Sequence, residues 1–493
     1  MIVAYTVEQL RAAETVALGL TPDGTLMQRA ATVVAVTALS RLPSPVPGSR
    51  VVLLVGTGNN GGDALYAGAM LRSRGVVVTA VLVSPDRAHA GALVAFRRAG
   101  GRIVEFVGDG GDAGDSVLAP VMSAAALVID GLVGIGGRPP LRPAAARLVG
   151  LVNASEIPVL AVDVPSGIDP DLGDATEGGS PSGASIRAAI TVTFGAPSTG
   201  LLATRSTGKL VVADLGLAPP ATVPPDAVAF DDVDVELLRP RPGLGADKYS
   251  GGVLGVVAGS DRYPGAAVLA VGAAVRLRPG LVRYAGPGAA AVLDRWPEVV
   301  AAADPAEAGR VQAWLAGPGM GTDGAALARL GTVLQADVPA VIDADALTML
   351  AANPTLLSRR TRPAGNSEDG PADTVLTPHA GEFGRLWPDL DPADRVTSAR
   401  SAARQSDAVV LLKGDRTVIA APDGRTAVNL SGSGWLATAG SGDVLSGIIG
   451  SLLAAGLDPF AAAAVGAQLH GRAGERAQAA GRAGAQALWD YLN

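Results

Sequence analysis

A series of short apolar runs that do not alternate with polar residues constrains the fold of this chain most strongly. Amphipathic helical segments separate these runs in both halves of the chain. Strands without alternation are buried on both faces, which is typical of parallel sheets covered by helices. The sequence therefore predicts two open α/β layer structures with right-handed crossovers. The runs are RVVLLVG, VVVTAVLV, RIVEFV, ALVID, IPVLAVD and AAITVTF, then GVLGVVAG, LVRYAG, VQAWLAG, VPAVIDA, TVLTP and AVVLLKG.

The domain boundary is predicted from proline. With 493 residues the chain is too long for one typical domain. The stretch GLAPPATVPPD at 216–226 continues neither a helix nor a central strand. We therefore place the boundary near 219–225, between domains of residues 1–222 and 226–493. A polar stretch at 358–373 is expected to be a surface insertion.

Composition excludes several classes of function. The net charge is −7 and no long basic run occurs, which argues against nucleic acid as a partner. The absence of cysteine excludes disulfides, cysteine-ligated zinc and a thiol nucleophile. The apolar stretch SGIIGSLLAAGLDPFAAAAVG is interrupted by Asp458 and Pro459, so it predicts two core helices and no membrane span. The first residues lack a signal-peptide pattern, and we expect a cytoplasmic protein without a membrane partner.

The stretch GTGNNGGD, residues 56–63, matches the G-x-G-x-x-G dinucleotide pattern between a predicted strand and a helix expected from about Asp63. A dehydrogenase also needs an acid at the end of the second strand to hold a ribose hydroxyl, and Ser84 stands there. This argues against hydride transfer. The backbone amides of Asn59 to Asp63 instead suit a phosphate group.

Polar residues follow other predicted strands of the first half. Asp130 ends ALVID, and Asp163 and Ser166 follow the strand IPVLAV. Because ligands bind outside the carboxyl ends of strands in open α/β sheets, these side chains should converge with Asn59 and Asn60 on one crevice. The oxygen ligands suit a weakly bound hard cation such as potassium. Any one of these residues taken alone is better explained as a helix or turn cap, but several such loops at strand ends together favour a ligand site.

In the second half, LATAGSGDVLSGIIGSLLAAG carries a glycine-rich turn into an apolar helix with Asp443 at its start. The amides of Ser441 to Asp443 could face a phosphate, and Asp443 could take a proton from an attacking hydroxyl. A plain helix cap is the alternative. A P-loop motif is absent from the sequence.

Further loops of the second half add to this prediction. Lys413 and Gly414 follow a strand and precede a hairpin, and His379 and Glu382 begin a helix. The loop LAGPGMG offers backbone for close approach of a ligand. The other two histidines, His89 and His470, are expected on helix surfaces.

The motifs GTGNNGGD, IDGLVGIGG, VDVPSGID and TVTFGAPSTGLL resemble the NAD(P)H-hydrate epimerase family over about residues 1–218. The resemblance implies a Rossmann-like three-layer αβα domain, a potassium site at Asn60, Asp130 and Ser166, and Asp163 as the proton-handling residue that also contacts substrate. The family usually has Thr at Ile135 and Lys at Ser198. The implied substrate-binding residues are Asn59, Asn60, Gly61, Gly62, Asp63, Gly134, Ile135, Gly136, Gly137, Arg138, Pro139, Pro140 and Asp163.

The second half resembles the ribokinase-like superfamily, and within it the ADP/ATP-dependent NAD(P)H-hydrate dehydratases. The motifs KYSGG, GPGMG, TPHAGE, KGDRT and ATAGSGD carry this resemblance over about residues 226–493. It implies a ribokinase-like α/β domain with Asp443 as catalytic base. Ala266, Gly319, His379 and Asp443 would contact the hydrate. Lys413, Gly414, Asp415, Arg416, Thr417 and Gly442 would bind the adenine nucleotide.

Together the two resemblances imply repair of NAD(P)H hydrated at C6, called NAD(P)HX. One domain would interconvert the R and S epimers, and the other would dehydrate the S form with ADP and Mg²⁺. A homo-oligomer is expected. Two alternatives stay open: a ribokinase-type small-molecule kinase with a fused ligand-binding domain, and a potassium- or dinucleotide-binding scaffold. The residues themselves do not decide between ADP and ATP.

Overall fold

The computed structural model describes residues 1–106, 118–174, 185–241, 243, 245, 247–358 and 374–492. The chain divides into two compact units. One unit comprises Val3–Asp226, and the other comprises Ala227–Asn493 together with Met1 and Ile2. The expected surface insertion at 358–373 lies, beyond its first residue, outside the described residues.

The first unit is built on a seven-stranded sheet in the order β4-β3-β2-β5-β6-β7-β8, and every neighbouring pair is parallel. One apolar cluster covers each face of this sheet, so the unit has three layers. The strands are β2 (Arg50–Val55), β3 (Val77–Leu82), β4 (Arg102–Glu105), β5 (Leu127–Gly131), β6 (Val159–Val162), β7 (Ile190–Phe194) and β8 (Lys209–Ala213). The helices are α1 (Val7–Leu20), α2 (Thr25–Leu39), α3 (Asn59–Ser73), α4 (Ala90–Arg98), α5 (Pro143–Ala154) and α6 (Thr199–Ala203).

The second unit contains a sheet in the order β9-β18-β17-β16-β15-β14-β13-β10-β11-β12. The seven strands β12, β11, β10, β13, β14, β15 and β16 are parallel, whereas β17 pairs antiparallel with β16 and β18. The chain begins with a short strand, β1 (Ile2–Ala4). The strands of this sheet are β9 (Ala227–Ala229), β10 (Val253–Val257), β11 (Leu281–Ala285), β12 (Val300–Ala302), β13 (Ala313–Ala316), β14 (Ala340–Ile342), β15 (Thr374–Leu376), β16 (Val409–Leu412), β17 (Thr417–Ala420) and β18 (Thr426–Asn429).

Helices pack on this sheet around one large apolar cluster. At Gly447 a Cβ would lie 2.2 Å from the carbonyl oxygen of Ala270, so glycine allows the two helices α8 (Pro264–Arg276) and α15 (Ser441–Ala454) to touch. The helices are α7 (Asp232–Leu238), α8 (Pro264–Arg276), α9 (Ala289–Arg295), α10 (Gly324–Gln335), α11 (Ala344–Ala352), α12 (Thr355–Ser358), α13 (Ala380–Leu386), α14 (Arg395–Ser406), α15 (Ser441–Ala454) and α16 (Pro459–Ala479).

The predicted α/β class and the parallel sheets are confirmed. All twelve predicted apolar runs form strands, and the apolar stretch around Asp458 forms the two helices α15 and α16. Among the described residues, no helix combines the length and apolar character needed to cross a bilayer.

Candidate active sites

A cavity of about 730 Å³ opens at the carboxyl ends of β2, β5 and β6 in the first unit. The loops that follow these strands line it, as expected for a ligand site in an open α/β sheet. The predicted residues Gly61, Gly62, Asp130 and Pro139 lie outside this lining. The predicted residues that line the cavity are Asn59, Asn60, Asp63, Gly134, Ile135, Gly136, Gly137, Arg138, Pro140, Asp163 and Ser166.

The glycine turn after β2 combines tight packing with open space. A Cβ at Gly56 would lie 1.9 Å from the carbonyl oxygen of Leu132, and one at Gly61 would lie 2.4 Å from that of Gly56. A Cβ at Gly58 would meet nothing within 4 Å. Two glycines are therefore required by the fold, whereas the third leaves room beside the cavity.

Helix α3 begins at Asn59, so the predicted start near Asp63 was four residues late. The N–H of Gly62 donates to the carbonyl oxygen of Gly58 at 3.3 Å, which is the first bond of the helix. A helix leaves its first N–H groups without helical partners. The predicted phosphate site at the amides of Asn59 to Asp63 therefore narrows to those of Asn59, Asn60 and Gly61.

Asp130 is fully buried next to Ser166. The N–H and the Oγ of Ser166 each donate to the Asp130 carboxylate at 2.8 Å, and the N–H of Leu132 donates at 3.2 Å. Burial raises the pKa of Asp130 to about 6, although these hydrogen bonds lower it. The carboxylate is thus tied to the loop that carries Ser166.

Asn60 lies beside this pair. Its Nδ2 donates to the carbonyl oxygens of Val133 at 3.2 Å and Val162 at 2.7 Å. Carboxylate, hydroxyl, amide and carbonyl oxygens therefore occur close together, which fits a hard cation such as potassium. In the part of the chain that the structure describes, no three acidic or histidine side chains form a metal cluster on their own. A cation held here would depend on the neutral oxygens.

Asp163 follows β6 in a left-handed backbone conformation, with φ of 67°. Its Oδ2 accepts from the N–H of Ile135 at 3.0 Å, and its Oδ1 accepts from Thr193 Oγ1 at 3.2 Å. Burial raises the pKa of Asp163 to about 6, against the two hydrogen bonds that lower it. The contact at Ile135 uses the backbone, so it does not depend on the side chain that departs from the family pattern.

Asp63 also lines the cavity, but its environment differs. The residue is only 6% exposed, and its buried Oδ1 has no hydrogen-bond partner among the described residues. Burial, with the negative charges of Asp163 and Glu14, raises the pKa of Asp63 to about 8. Burial without a donor at Oδ1 therefore favours the protonated form of this carboxyl group.

Two further predicted positions of the first unit are Arg138 and Ser198. Arg138 lies within 3.3 Å of Asp169 and 3.5 Å of Asp171, with its guanidinium group largely exposed. Ser198 is fully buried and does not line the cavity, so the position where the family has lysine contributes no group to it.

In the second unit, the predicted glycine-rich turn leads into α15. Gly440 has a left-handed φ of 85°, and Asp443 is the third residue of the helix. The N–H of Ser441 donates to the carbonyl oxygen of Thr438 at 3.1 Å. Only the amides of Gly442 and Asp443 are therefore left for a phosphate, one fewer than predicted.

Burial raises the pKa of Asp443 to about 7. The negative charges of Asp343 and Asp345 raise it further, and the positive charge of Lys413 lowers it. A carboxylate with a pKa near neutrality is well suited to general base catalysis.

Asp343 was not predicted from the sequence. It follows β14, is 1% exposed, and accepts from Lys413 Nζ at 2.7 Å and from Ser446 Oγ at 2.6 Å. Lys413 also lies 3.8 Å from Glu382. Asp343 thus joins the predicted Lys413 loop to α15. The rule that singled out Asp130 and Asp163, an acid at the end of an apolar strand, applies equally to VIDAD.

Of the other residues predicted to contact the hydrate, Ala266 lies in the first turn of α8, Gly319 follows β13, and His379 precedes α13. His379 is the N-cap of α13, and its Nδ1 accepts from the N–H groups of Gly381 and Glu382 at 3.0 and 3.3 Å. Gly319 has a positive φ, and a Cβ there would lie 2.7 Å from that of Ala266. His379 and Lys413 are bridged across their strand ends.

The predicted nucleotide-binding loop from Lys413 to Thr417 connects β16 to β17. Arg416 is buried, and its guanidinium group donates to the carbonyl oxygen of Leu430 at 2.7 Å. Gly414 packs against the guanidinium group of Arg395, where a Cβ would lie 2.6 Å away. The Arg416 side chain therefore stabilises the loop, and only the backbone N–H and carbonyl groups of this residue are left to contact a ligand.

The prediction that His470 lies on a helix surface was wrong. His470 is buried, and its Nε2 lies 3.0 Å from both Oγ and the carbonyl oxygen of Ser441. Burial lowers the pKa of His470 to about 4, so the ring is neutral. Small residues before it, AAAAVGAQLH, let α16 pack closely enough to bury the ring. His89 instead caps α4 by accepting from the N–H of Ala92.

Comparison with known proteins matches both units. A family profile described as NAD(P)H-hydrate dehydratase matches residues 254–491, and one described as YjeF-related protein N-terminus matches residues 23–200. A crystal structure of the ADP/ATP-dependent NAD(P)H-hydrate dehydratase of Bacillus subtilis, co-crystallized with ATP/Mg²⁺, is 30% identical. It covers 54% of this chain and 96% of its own, with a TM-score of 0.46.

Two curated relatives carry the name bifunctional NAD(P)H-hydrate repair enzyme Nnr. The protein of Mycobacterium tuberculosis is 49% identical over 463 residues, which is 93% of this chain and 91% of that protein. The protein of Mycobacterium leprae is 48% identical over 472 residues, which is 95% of this chain and 93% of that protein. The chain therefore belongs to the family of bifunctional NAD(P)H-hydrate repair enzymes.

Proposed function

We propose that the chain repairs hydrated nicotinamide cofactors by two reactions, one in each unit. The observation that carries this proposal is that relatives named for this repair match more than nine-tenths of the chain, and so include both candidate sites. We assign epimerisation of (R)- and (S)-NAD(P)HX to residues 1–222 and nucleotide-dependent dehydration of the S form to residues 226–493. The division of the fold between Asp226 and Ala227 supports this assignment.

The hydrate occupies the cavity of the first unit. The volume of this cavity, about 730 Å³, lies within the usual range for cofactor and small-molecule sites. The amides at the start of α3 bind the phosphates, and the loop from Gly134 to Pro140 contacts the rest of the substrate. Asp163, held by two donors, contacts the substrate near C6 and exchanges a proton with it.

Potassium binds at Asn60, Asp130 and Ser166. Such an ion would neutralise the buried Asp130 carboxylate and hold the two loops that carry Asp163 and Ile135. The oxygen-rich composition of the site supports potassium over a transition metal. This role predicts that epimerisation needs potassium, whereas binding of nucleotide to the second unit does not.

In the second unit, Asp443 acts as general base on the C6 hydroxyl. As this hydroxyl oxygen attacks the terminal phosphorus of ADP, its proton passes to Asp443 and AMP leaves. Phosphate then leaves C6, and loss of a proton from C5 restores the ring double bond. Hydroxide is a poor leaving group and phosphate a good one, which is the reason for the phosphorylation.

The loop from Lys413 to Thr417 and Gly442 bind the nucleotide in this proposal, and Ala266, Gly319 and His379 contact the hydrate. A magnesium ion carried by the nucleotide would neutralise charge on its phosphates. The position of Lys413 beside Asp343 and Glu382 supports a role for its ammonium group near the transferred phosphoryl group.

Hydrated NADH prepared as a mixture of epimers tests the proposal. With protein, magnesium, potassium and ADP, dihydronicotinamide absorbance should recover for the whole pool, faster than spontaneous epimerisation allows. Recovery that stops at the S fraction would remove the epimerase activity from the proposal. If neither ADP nor ATP supports recovery, the repair function is wrong. Accumulation of a stable phosphorylated product would instead identify a small-molecule kinase.

Crossed substitutions assign the two sites. Asp443→Ala should abolish nucleotide-dependent recovery and leave exchange of R and S epimers unchanged. Asp163→Ala should do the reverse, because each carboxylate serves only its own unit. Chromatography of the two epimers without nucleotide measures the first activity, and absorbance with pure S epimer measures the second. Loss of both activities in either variant would contradict the assignment.

The expected homo-oligomer and cytoplasmic location stay predictions. Analytical ultracentrifugation and cell fractionation would test them.

A further inference from the structure

The first cavity contains two carboxyl groups in opposite environments. Both oxygens of Asp163 accept hydrogen bonds, from the N–H of Ile135 and from Thr193 Oγ1. Asp63 lines the same cavity, yet no donor among the described residues reaches its buried Oδ1. Donors stabilise the carboxylate form, and burial without donors stabilises the protonated form. The geometry therefore favours one ionised and one protonated carboxyl group at a single site.

Two carboxyl groups held in different protonation states provide a base and an acid at the same pH. Asp163 is the natural base of such a pair because its donors stabilise the charge. Asp63 cannot fill that position, since ionisation would leave a buried negative charge without a donor beside two other acids, Asp163 and Glu14.

We propose that Asp63 is the general acid of epimerisation and donates its proton to the C6 hydroxyl of the hydrate, with Asp163 as the general base. This inference rests on the proposed epimerase function of the first unit. It gives Asp63 a step in the reaction in addition to contact with the substrate.

The step conserves atoms and charge. The Asp63 proton moves to the C6 hydroxyl oxygen, the C6–O bond breaks, and water leaves as the ring nitrogen lone pair forms a C=N bond. Asp163 and the newly ionised Asp63 stabilise the cation. A second water adds to the opposite face of C6, the C=N electron pair returns to nitrogen, and Asp163 takes the proton. Proton exchange with solvent then restores both carboxyl groups.

Charged groups around the pair come from several elements. Glu14 and Arg11 reach the cavity from α1, and Arg138 and Arg142 reach it from the segment before α5. His89, at the start of α4, packs against Gly62 of α3. Of these, Glu14 raises the pKa of both Asp63 and Asp163. The pair should work while Asp63 is protonated and Asp163 is ionised. Epimerisation should therefore decline above pH about 8 and below pH about 6.

The test uses the full chain, pure R epimer of hydrated NADH, potassium and no nucleotide, with the epimers separated by chromatography. Asp63→Asn keeps the shape and a neutral donor but has no transferable proton. Its kcat should fall about 10²- to 10³-fold, with KM changed less than about threefold and the alkaline decline abolished. Calorimetry of the same sample, in which the unfolding transition of the first unit is resolved, shows that this unit of the variant is folded.

Two further measurements separate acid catalysis from a structural role. Glu14→Gln should move the alkaline decline to lower pH because it removes a negative charge near Asp63. Glu8→Gln, an exposed position on the same helix, should leave it unchanged. In H₂¹⁸O, each inversion should incorporate one solvent oxygen.

The outcomes are distinct. A wild-type protein that does not epimerise overturns the proposed function and this inference with it. If the wild type is active and Asp63→Asn retains kcat, or raises KM alone, Asp63 is only a substrate contact and the inference is wrong. Inversion without ¹⁸O incorporation excludes the loss of water and overturns the proposed step.

Discussion

Asp63→Asn also makes a prediction about stability that does not depend on catalysis. The pKa of Asp63 rises from 3.8 in a solvated carboxyl group to about 8 in the folded protein. Between these values the folded state binds one proton more than the unfolded state. Stability therefore falls as pH rises through this interval, by about 1.4 kcal/mol per pH unit for this group. Below pH 3.8 the contribution is fully present, and above about 8 it is lost.

The variant lacks this proton and hence this slope. From pH 5 to pH 7 the wild type should lose about 3 kcal/mol relative to Asp63→Asn. For a unit of this size, 1 kcal/mol corresponds to about 2–4 °C in melting temperature. The melting temperature of the variant minus that of the wild type should therefore increase by about 6–12 °C between the two pH values. Packing differences between Asp and Asn cancel in this comparison because they are present at both.

Calorimetry of the full chain measures the effect. ADP and magnesium in excess should stabilise the second unit and separate its transition from that of the first. Asp86→Asn, at an exposed position of the first unit, serves as the control and should show the same pH dependence as the wild type. Parallel pH dependences of wild type and Asp63→Asn would refute the assignment of a protonated Asp63, and with it the general acid.

Two other predictions follow from the site geometry. Gly56→Ala should destabilise the first unit by about 3 kcal/mol or more, because its Cβ would overlap the backbone of the loop that follows β5. Gly58→Ala should change the free energy of unfolding by less than about 1 kcal/mol, because its Cβ would meet nothing, but it should weaken binding of the hydrate. Thermal denaturation and a binding titration would check this pair. Asp343→Asn should lower the pKa of Asp443 from its value of about 7, because a like charge is removed. The acid decline of nucleotide-dependent turnover should therefore move to lower pH. An unchanged decline in a folded Asp343→Asn protein would contradict the coupling of the two carboxylates.

The strands were predictable because a parallel sheet buries both faces of each strand. Such strands consist of continuous runs of apolar residues. The same regularity predicted that Asp130, Asp163 and Ser166 lie near one another, since parallel strands end at one edge. Asp343 follows the same rule and could have been predicted, but its pairing with Lys413, 70 residues away, depends on sheet order. Strand order is not written in any local pattern. The burial of His470 was missed for a similar reason, because the helix that carries it is apolar or small on most sides.

Local backbone detail was also beyond the sequence. The motif GTGNNGGD predicted a phosphate site, but which amides stay unpaired depends on the residue at which α3 begins. Gly62 and Ser441 donate to backbone carbonyls, and each bond removes one amide from the predicted sites. These differences of one hydrogen bond decide how many contacts a phosphate can receive.

Both sites place an acid in the first loop after a buried strand, where the backbone turns sharply. Asp163 itself has a φ of 67°, and Ala344, between Asp343 and Asp345, has a φ of 48°. Non-glycine residues in this region are strained, by about 1–3 kcal/mol each, and persist only where the surroundings hold them. At Asp163 these contacts are the two hydrogen bonds to its own carboxylate. The side chain of the strained residue therefore offsets the cost of its backbone conformation. Next to Ala344, the Asp343 carboxylate is held by its ion pair with Lys413. Hydrogen bonds to the carboxylate fix the orientation of each acid. Removal of the Asp163 or the Asp343 carboxylate should therefore disturb the loop that carries it as well as the chemistry.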